Sequence, residues 1–254
     1  GSLLLMLPIS SREGTVTPFL DCLFTATSAT CVTGLVVYDT YLHWTGFGQV
    51  VIIALIQVGG LGLSTLAAFF NLLIGRKMGL RGMHLAQESV AALGDDIRQL
   101  LKTVVATALV VESAGALLLM TVFVPNYGLE GVAIAAFTAI SAFCNAGFDL
   151  MGRHEAYISL CGYADNPLVL GVVGCLIIVG GIGFLVIHDL LEYRRTKKLL
   201  LHTRIVLVAT GLLILLGTVA IALPEWNNPA TLGPMSPLEK IGNSWFHAVS
   251  CRTA

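Results

Sequence analysis

The chain has 254 residues, of which 56% are hydrophobic and 11% charged, with a net charge of -1. Soluble domains carry about 25% charged residues, so a chain with a mean hydropathy of +0.86 cannot cover a water-facing surface, and a bilayer is its solvent. The net charge gives no reason to expect nucleic acid, and six cysteines without a CxxC pair exclude the disulfide framework of a short secreted domain.

The chain opens on Ser2-Leu3-Leu4-Leu5-Met6-Leu7-Pro8. This apolar run is too short to span and has no charged start, so it reads as the tail of a helix rather than a signal peptide. Phe19 to Ala29 is apolar but also too short to span, and it predicts a re-entrant helix. Four stretches are long and apolar enough to span: Phe47 to Ile74, Thr103 to Val124, Leu168 to Leu191 and Ile205 to Leu223. Between the first two, Ala86, Val90, Leu93, Ile97 and Leu100 keep helical spacing, with Glu88, Asp95, Asp96 and Arg98 on the other face. That pattern predicts an interfacial helix or a docking surface for a cytoplasmic partner. Val132 to Phe143 predicts a second re-entrant helix.

Basic residues orient the chain. Arg76, Lys77, Arg81, Arg98 and Lys102 lie between spans one and two; Arg194, Arg195, Lys197, Lys198 and Arg204 lie between spans three and four. Two spans separate these loops, so they share one side, the cytoplasmic one. The other connections fall outside. They carry Glu13, Asp21, Asp39, Glu130, Asp149, Glu155, Asp165, Glu225 and Glu239, an acidic face that concentrates cations.

The outer connections repeat. Phe24 to Gly34 and Phe137 to Gly147 both follow Phe-Thr-Ala-x-Ser-Ala-x-Cys-x-x-Gly without a gap, and a third copy runs from Phe246 to Ala254. The following helices repeat too, as Val58-Gly59-Gly60-Leu61-Gly62 and Val179-Gly180-Gly181-Ile182-Gly183. The unit is helix, short re-entrant helix, extended loop, helix. Residues 1–75 are repeat one with a truncated first helix, 76–200 repeat two, and 201–254 a truncated repeat three, all within one membrane domain.

Non-helical backbone at membrane depth is tolerated only where it is buried in protein or lines water. Thr30, Cys31, Val32, Thr33 and Gly34, and Phe143, Cys144, Asn145, Ala146 and Gly147, should therefore line a cavity. Small residues ending in glycine suit a filter of backbone carbonyls that replaces an ion's water shell. The re-entrant helix turns its negative dipole end toward the ion. Asn145 and Thr33 could add side-chain oxygens, but the loops differ in side chain at matched positions, which favours carbonyls.

These residues resemble the Trk/Ktr/HKT superfamily of potassium transporters, in particular the bacterial TrkH/KtrB-type membrane subunit. The resemblance rests on Phe24 to Gly34 with Leu35-Val36-Val37-Tyr38-Asp39-Thr40, on Phe143-Cys144-Asn145-Ala146-Gly147-Phe148-Asp149, on Arg252-Thr253-Ala254, and on Gln57-Val58-Gly59-Gly60-Leu61-Gly62. It implies an all-α integral membrane fold of repeated helix–pore loop–helix units, in a pseudo-fourfold, potassium-channel-like architecture truncated here at both ends. It implies K+ held by backbone carbonyls of the filter positions above and of Arg252, Thr253 and Ala254, with the third loop's glycine next in the chain. It also implies a homodimer in the bacterial inner membrane, pore loops outward, gated by a cytoplasmic nucleotide-binding ring of TrkA/KtrA type. Entry of K+ would be passive or coupled to Na+, with no bound cofactor.

Glu112, alone in mid-span, reads either as a counter-charge to a basic residue below the filter or as a hydrogen-bonded or protonated carboxyl between helices. Arg252 is expected to point away from the filter. The glycine triplets read as close helix contacts, not a nucleotide loop, because no strand precedes them. Two rivals weigh less. An intramembrane metal-dependent enzyme would use Glu112, His188, Asp189 and the loop cysteines Cys31, Cys144 and Cys251. An ordinary channel of four identical subunits conflicts with unequal loops in one chain.

Overall fold

The structure, a computed structural model, describes residues 1–62, 97–153 and 155–253. Ten α-helices lie within them: α1 (Ser2–Leu5), α2 (Phe19–Cys31), α3 (Thr40–His43), α4 (Gly46–Gly60), α5 (Ile97–Tyr127), α6 (Glu130–Phe143), α7 (Pro167–Gly181), α8 (Phe184–Thr196), α9 (Leu201–Glu225) and α10 (Pro237–Thr253). The bridge between Ser11 and Trp44 is the sole strand-like pairing among the described residues. The expected amphipathic stretch at Ala86, Val90 and Leu93, the basic residues Arg76, Lys77 and Arg81, and residue Ala254 all lie outside the described residues.

Two helices cross a bilayer by length and composition, Thr103–Tyr127 within α5 and Leu201–Glu225 as α9, with 25 residues each. At 1.5 Å per residue each is about 37 Å long, enough for a hydrocarbon core of about 30 Å. With the other apolar helices they mark a multi-pass membrane protein. By contrast α2 has 13 residues and α6 has 14. At about 20 Å each they cannot span, as the sequence predicts.

The span expected over Leu168 to Leu191 is not one straight helix. It breaks between α7 and α8, which meet at 96°. Gly183 is the hinge, with φ +89°, a conformation that glycine adopts without the steric cost a side chain brings. The equivalent glycine in the first repeat, Gly62, has φ +80°, directly after α4 ends. The helical part of the expected Phe47 to Ile74 span therefore stops at Gly60, and residues 63–74 lie outside the described ones.

Local signals set the helix starts. Asn166 Oδ1 accepts from the N–H groups of Leu168 and Val169 at 3.1 and 3.2 Å, and Pro167 opens α7, where a missing N–H costs nothing. Thr45 caps α4 through the Gly48 N–H. Gly128, with φ +65°, turns α5 directly into α6. These two helices form a tight hairpin because Gly131 lets α6 approach the Phe123 carbonyl.

The core joins repeats one and two. Ile52 and Ile56 of α4, Leu119 and Phe123 of α5, Ile134 and Phe137 of α6, and Val169 and Val173 of α7 are all buried in one cluster. α9 instead leans on α10 and α8. Its Leu212, Leu213, Leu215 and Leu216 are exposed, an apolar surface suited to hydrocarbon.

Candidate functional site

The two complete repeat loops fold alike, residue for residue. In the first, the Val32 backbone is left-handed (φ +58°) and closes α2, and the Thr33 N–H donates to the Ser28 carbonyl at 3.0 Å. In the second, Asn145 takes the same φ of +58°, and the Ala146 N–H donates to the Ser141 carbonyl at 2.8 Å. Val32 matches Asn145, Thr33 matches Ala146 and Ser28 matches Ser141 in the repeat. Gly34 and Gly147 then share a φ of +73°. A left-handed residue at the cap stops the helix, and the glycine two positions on turns the extended strand.

The serines brace both loops from within. Ser28 Oγ lies 2.9 Å from Thr33 Oγ1, and Ser141 Oγ donates to the Phe148 carbonyl at 2.6 Å. Thr30 and Cys31 form the last turn of α2 and Phe143 ends α6, so the extended backbone begins only at Thr33 and at Ala146.

The loops meet at their glycines. A Cβ on Gly34 would lie 2.7 Å from the Ala146 carbonyl oxygen and 3.5 Å from Gly147 Cα. Thr33, Gly34, Ala146 and Gly147 border a cavity of about 630 Å³ that Phe246, His247 and Ser250 of α10 also line.

The glycine pairs of α4 and α7 serve these loops. Gly59 lies against the Thr30 carbonyl and Gly180 against the Phe143 carbonyl, at matched positions. Gly60 receives Cys144 of the next loop, and Gly181 receives Arg252 and Thr253 of the loop after that. Helix contact was the expected use of these glycines. The structure agrees in that Gly59, Gly180 and Gly181 meet the last turns of α2, α6 and α10, and adds that Gly60 receives Cys144 just past α6, while Gly62 and Gly183 follow the ends of their helices with positive φ.

The third copy is helical as far as it is described, since Arg252 and Thr253 fall in the last turn of α10. The Arg252 guanidinium lies against Gly181 of α7, and its Nη1 donates to Thr210 Oγ1 of α9 at 3.0 Å. Thr253 Oγ1 lies 2.9 Å from the Asn145 amide. Assigning the amide so that donors face acceptors, its nitrogen also donates to the Ile177 carbonyl at 3.1 Å and its oxygen accepts from the Gly181 N–H at 3.2 Å. Asn145 therefore bonds its neighbours, and its amide is committed to α7 and α10. Glu112 is buried in the α5 span, where its Oε1 accepts from Gln57 Nε2 at 2.9 Å. Cys144 Sγ lies 4.0 Å from Gln57 Oε1.

Residues 2–254 match the TrkH family, described as cation transport protein. This chain belongs to that TrkH family. It is 41% identical over 257 residues to "Ktr system potassium uptake protein B" of Bacillus subtilis, covering 100% of this chain and 56% of the relative. It is 38% identical to "Potassium/sodium uptake protein NtpJ" of Enterococcus hirae, covering 100% of this chain and 55% of that one. Against "Ktr system potassium uptake protein B" of Vibrio alginolyticus the identity is 40%, again over 100% of this chain and 55% of the relative. The TrkH-family chain thus spans about half the length of these relatives.

The family is one of cation transport proteins, not enzymes, and the enzyme candidates have other uses in the TrkH-family chain. Asp189 Oδ2 accepts from the Leu200 N–H at 3.0 Å, at the start of α9. His188 faces Glu192 one turn on, at 4.0 Å. Among the described residues no three His, Cys, Asp or Glu side chains converge as a metal would require.

Asp39, read above in the acidic outer face and in the Leu35 to Thr40 stretch of the resemblance, has a structural use that the sequence reading did not assign. Asp39 is buried, and its Oδ1 accepts from the Tyr41 and Leu42 N–H groups at 2.9 Å. Its Oδ2 accepts from the Tyr157 N–H at 2.9 Å, 118 residues on, so it ties the segment after α2 to the one after α6. Its place before Thr40 is a legible cap signal; its bond to Tyr157 has no sequence signature. Asp149 is held by the Met151 N–H at 2.9 Å and by Ser159, yet burial pushes its carboxyl above the ordinary range.

Proposed function

We propose that this chain is part of the pore-forming subunit of a bacterial potassium-uptake system, and that K+ crosses between its re-entrant loops. The observation that carries this reading is the meeting of two loops of identical backbone form at Gly34 and Gly147. Carbonyls of Val32 to Gly34 and of Asn145 to Gly147 supply dehydrated oxygen ligands for K+. Arg252, Thr253 and Ala254 open the third set. The carbonyls of Thr30 and Phe143, pressed on Gly59 and Gly180, contribute by packing.

The seating of each loop on the preceding repeat's glycine helix occurs twice at matched glycines, Cys144 on Gly60 and Arg252 with Thr253 on Gly181. A repeated head-to-tail contact generates a ring when its rotation closes, and four such units would make a pseudo-fourfold pore. Glu112, hydrogen-bonded to Gln57, fits the reading of a carboxyl held between helices better than that of a counter-charge. The relatives' names support K+ as cargo, and the name of the Enterococcus protein adds Na+, as co-transported or competing ion. The word "system" in two of those names suits a partner subunit. We assign that role to a cytoplasmic nucleotide-binding ring, acting on a homodimer in the inner membrane with the loops facing out.

The test is uptake of K+ or Rb+ into vesicles holding the intact protein, competed by Na+. K+ should be taken up in preference to Na+, and should remain so when Cys31, Cys144 and Cys251 are all serine. Loss of K+ affinity in that triple variant would favour a thiol site and sink the carbonyl reading.

A further inference from the structure

Glu112 is a buried carboxylate in the middle of an apolar span, where an ionisable group is costly. The relay it begins leads to a loop. Its Oε1 accepts from the Gln57 Nε2 group at 2.9 Å, which holds that end of the amide toward α5. The Gln57 Oε1 atom must then face the other way, and there it meets the Cys144 thiol at 4.0 Å. One turn further along α4, Gly60 leaves the space that the Cys144 Cβ and Sγ occupy. Cys144 is buried between these two positions.

The second repeat lacks this relay. Ile178 stands where Gln57 would be, and the Gly181 seat holds the Arg252 guanidinium with Thr253 beside it; Arg252 matches Cys144 when Ala254 is set on Ala146, and its other nitrogen bonds Thr210. Each loop thus has its own fastening, and loop two is linked through Gln57 to the Glu112 carboxyl.

We propose that Gln57 and Glu112 are positioning residues for ion selection: together they fix Cys144 on α4 and thereby the aim of the Asn145 to Gly147 carbonyls. This rests on the reading that these loops line the cation path. Cys144 directly precedes the left-handed Asn145, so a shift of its Cα is passed to the carbonyls that follow.

The experiment uses the intact protein in vesicles, with Rb+ uptake measured against Na+ competition. Gln57→Leu and Glu112→Leu should each reduce discrimination against Na+ several-fold. Glu112→Gln, which keeps an oxygen for the Gln57 amide, should restore it. The double leucine variant should be no worse than either single one, because the two residues act as one link. Full discrimination in Gln57→Leu, in a protein whose Gly34→Ala variant loses it, overturns the positioning role and leaves the pore-loop reading standing. If neither variant changes discrimination, the pore-loop reading fails and takes this proposal with it. Thiol labelling covers the case in which a leucine variant does not fold. With the other five cysteines replaced by serine, Gln57→Asn should speed modification of Cys144 by a small thiosulfonate, because the shortened amide no longer reaches. An unchanged labelling rate overturns the proposal.

Discussion

Replacing Gly34 by alanine tests the loop geometry most directly. At φ +73° an L-residue costs about 1–2 kcal/mol relative to glycine. The added Cβ would also stand 2.7 Å from the Ala146 carbonyl oxygen, nearer than ordinary contact, and that atom is backbone that cannot swing aside. Either loop one or loop two must move. At about 1.4 kcal/mol per factor of ten, a loss of that size confined to the K+-bound geometry lowers K+ preference roughly five- to thirtyfold. Gly14→Ala is the control. Gly14 has a similar φ of +67° but nothing within 4 Å of its Cβ position, so it carries the same backbone cost away from the loops. Rb+ uptake against a Na+ series, on both variants in vesicles, separates the two. Loss of selectivity in Gly34→Ala with retention in Gly14→Ala is expected. Equal selectivity in Gly34→Ala and the unaltered protein would refute the placement of Gly34 in the ion path.

Gly180→Ala should destabilise the folded protein by about 1–3 kcal/mol, because a Cβ there meets the Phe143 carbonyl, whereas Gly171→Ala on the same helix meets nothing within 4 Å and should be neutral or slightly stabilising; thermal unfolding in detergent ranks them. Asp39→Ala removes the acceptor of three backbone N–H groups and should cost about 2–4 kcal/mol. Asp39→Asn should recover part of that loss, read as the unfolding temperature. For Asp149 the folded carboxyl titrates above its ordinary value because of burial. Its contribution to stability is therefore full below the ordinary carboxylate range and falls as pH rises through the raised value. Asp149→Asn should flatten that part of the unfolding-temperature profile, and an identical profile in both proteins would disprove the assignment.

The helical character and the short helices were legible in the sequence because each has a local cause. Apolar length separates α5 and α9 from α2 and α6. The spacing from Ser28 to Gly34 recurs from Ser141 to Gly147, and equal spacing of a brace, a cap and a glycine imposes equal backbone. The break at Gly183 was less legible: an apolar run of spanning length looks the same bent or straight, and only the hinge angle distinguishes a glycine that packs from one that turns.

The partners across repeats were decided by tertiary structure alone. The sequence by itself determined that this is a helical membrane protein with apolar helices of two length classes, since hydropathy and spacing are properties of neighbours along the chain. It left open what Gly60, Gln57, Asp39 and Arg252 touch. Those contacts join residues dozens of positions apart, and they depend on how far one helix rotates and slides against another. A rotation of one residue on α4 would turn Gln57 from Glu112, and the link to Cys144 exists only because packing around Ile52 and Ile56 holds that face inward.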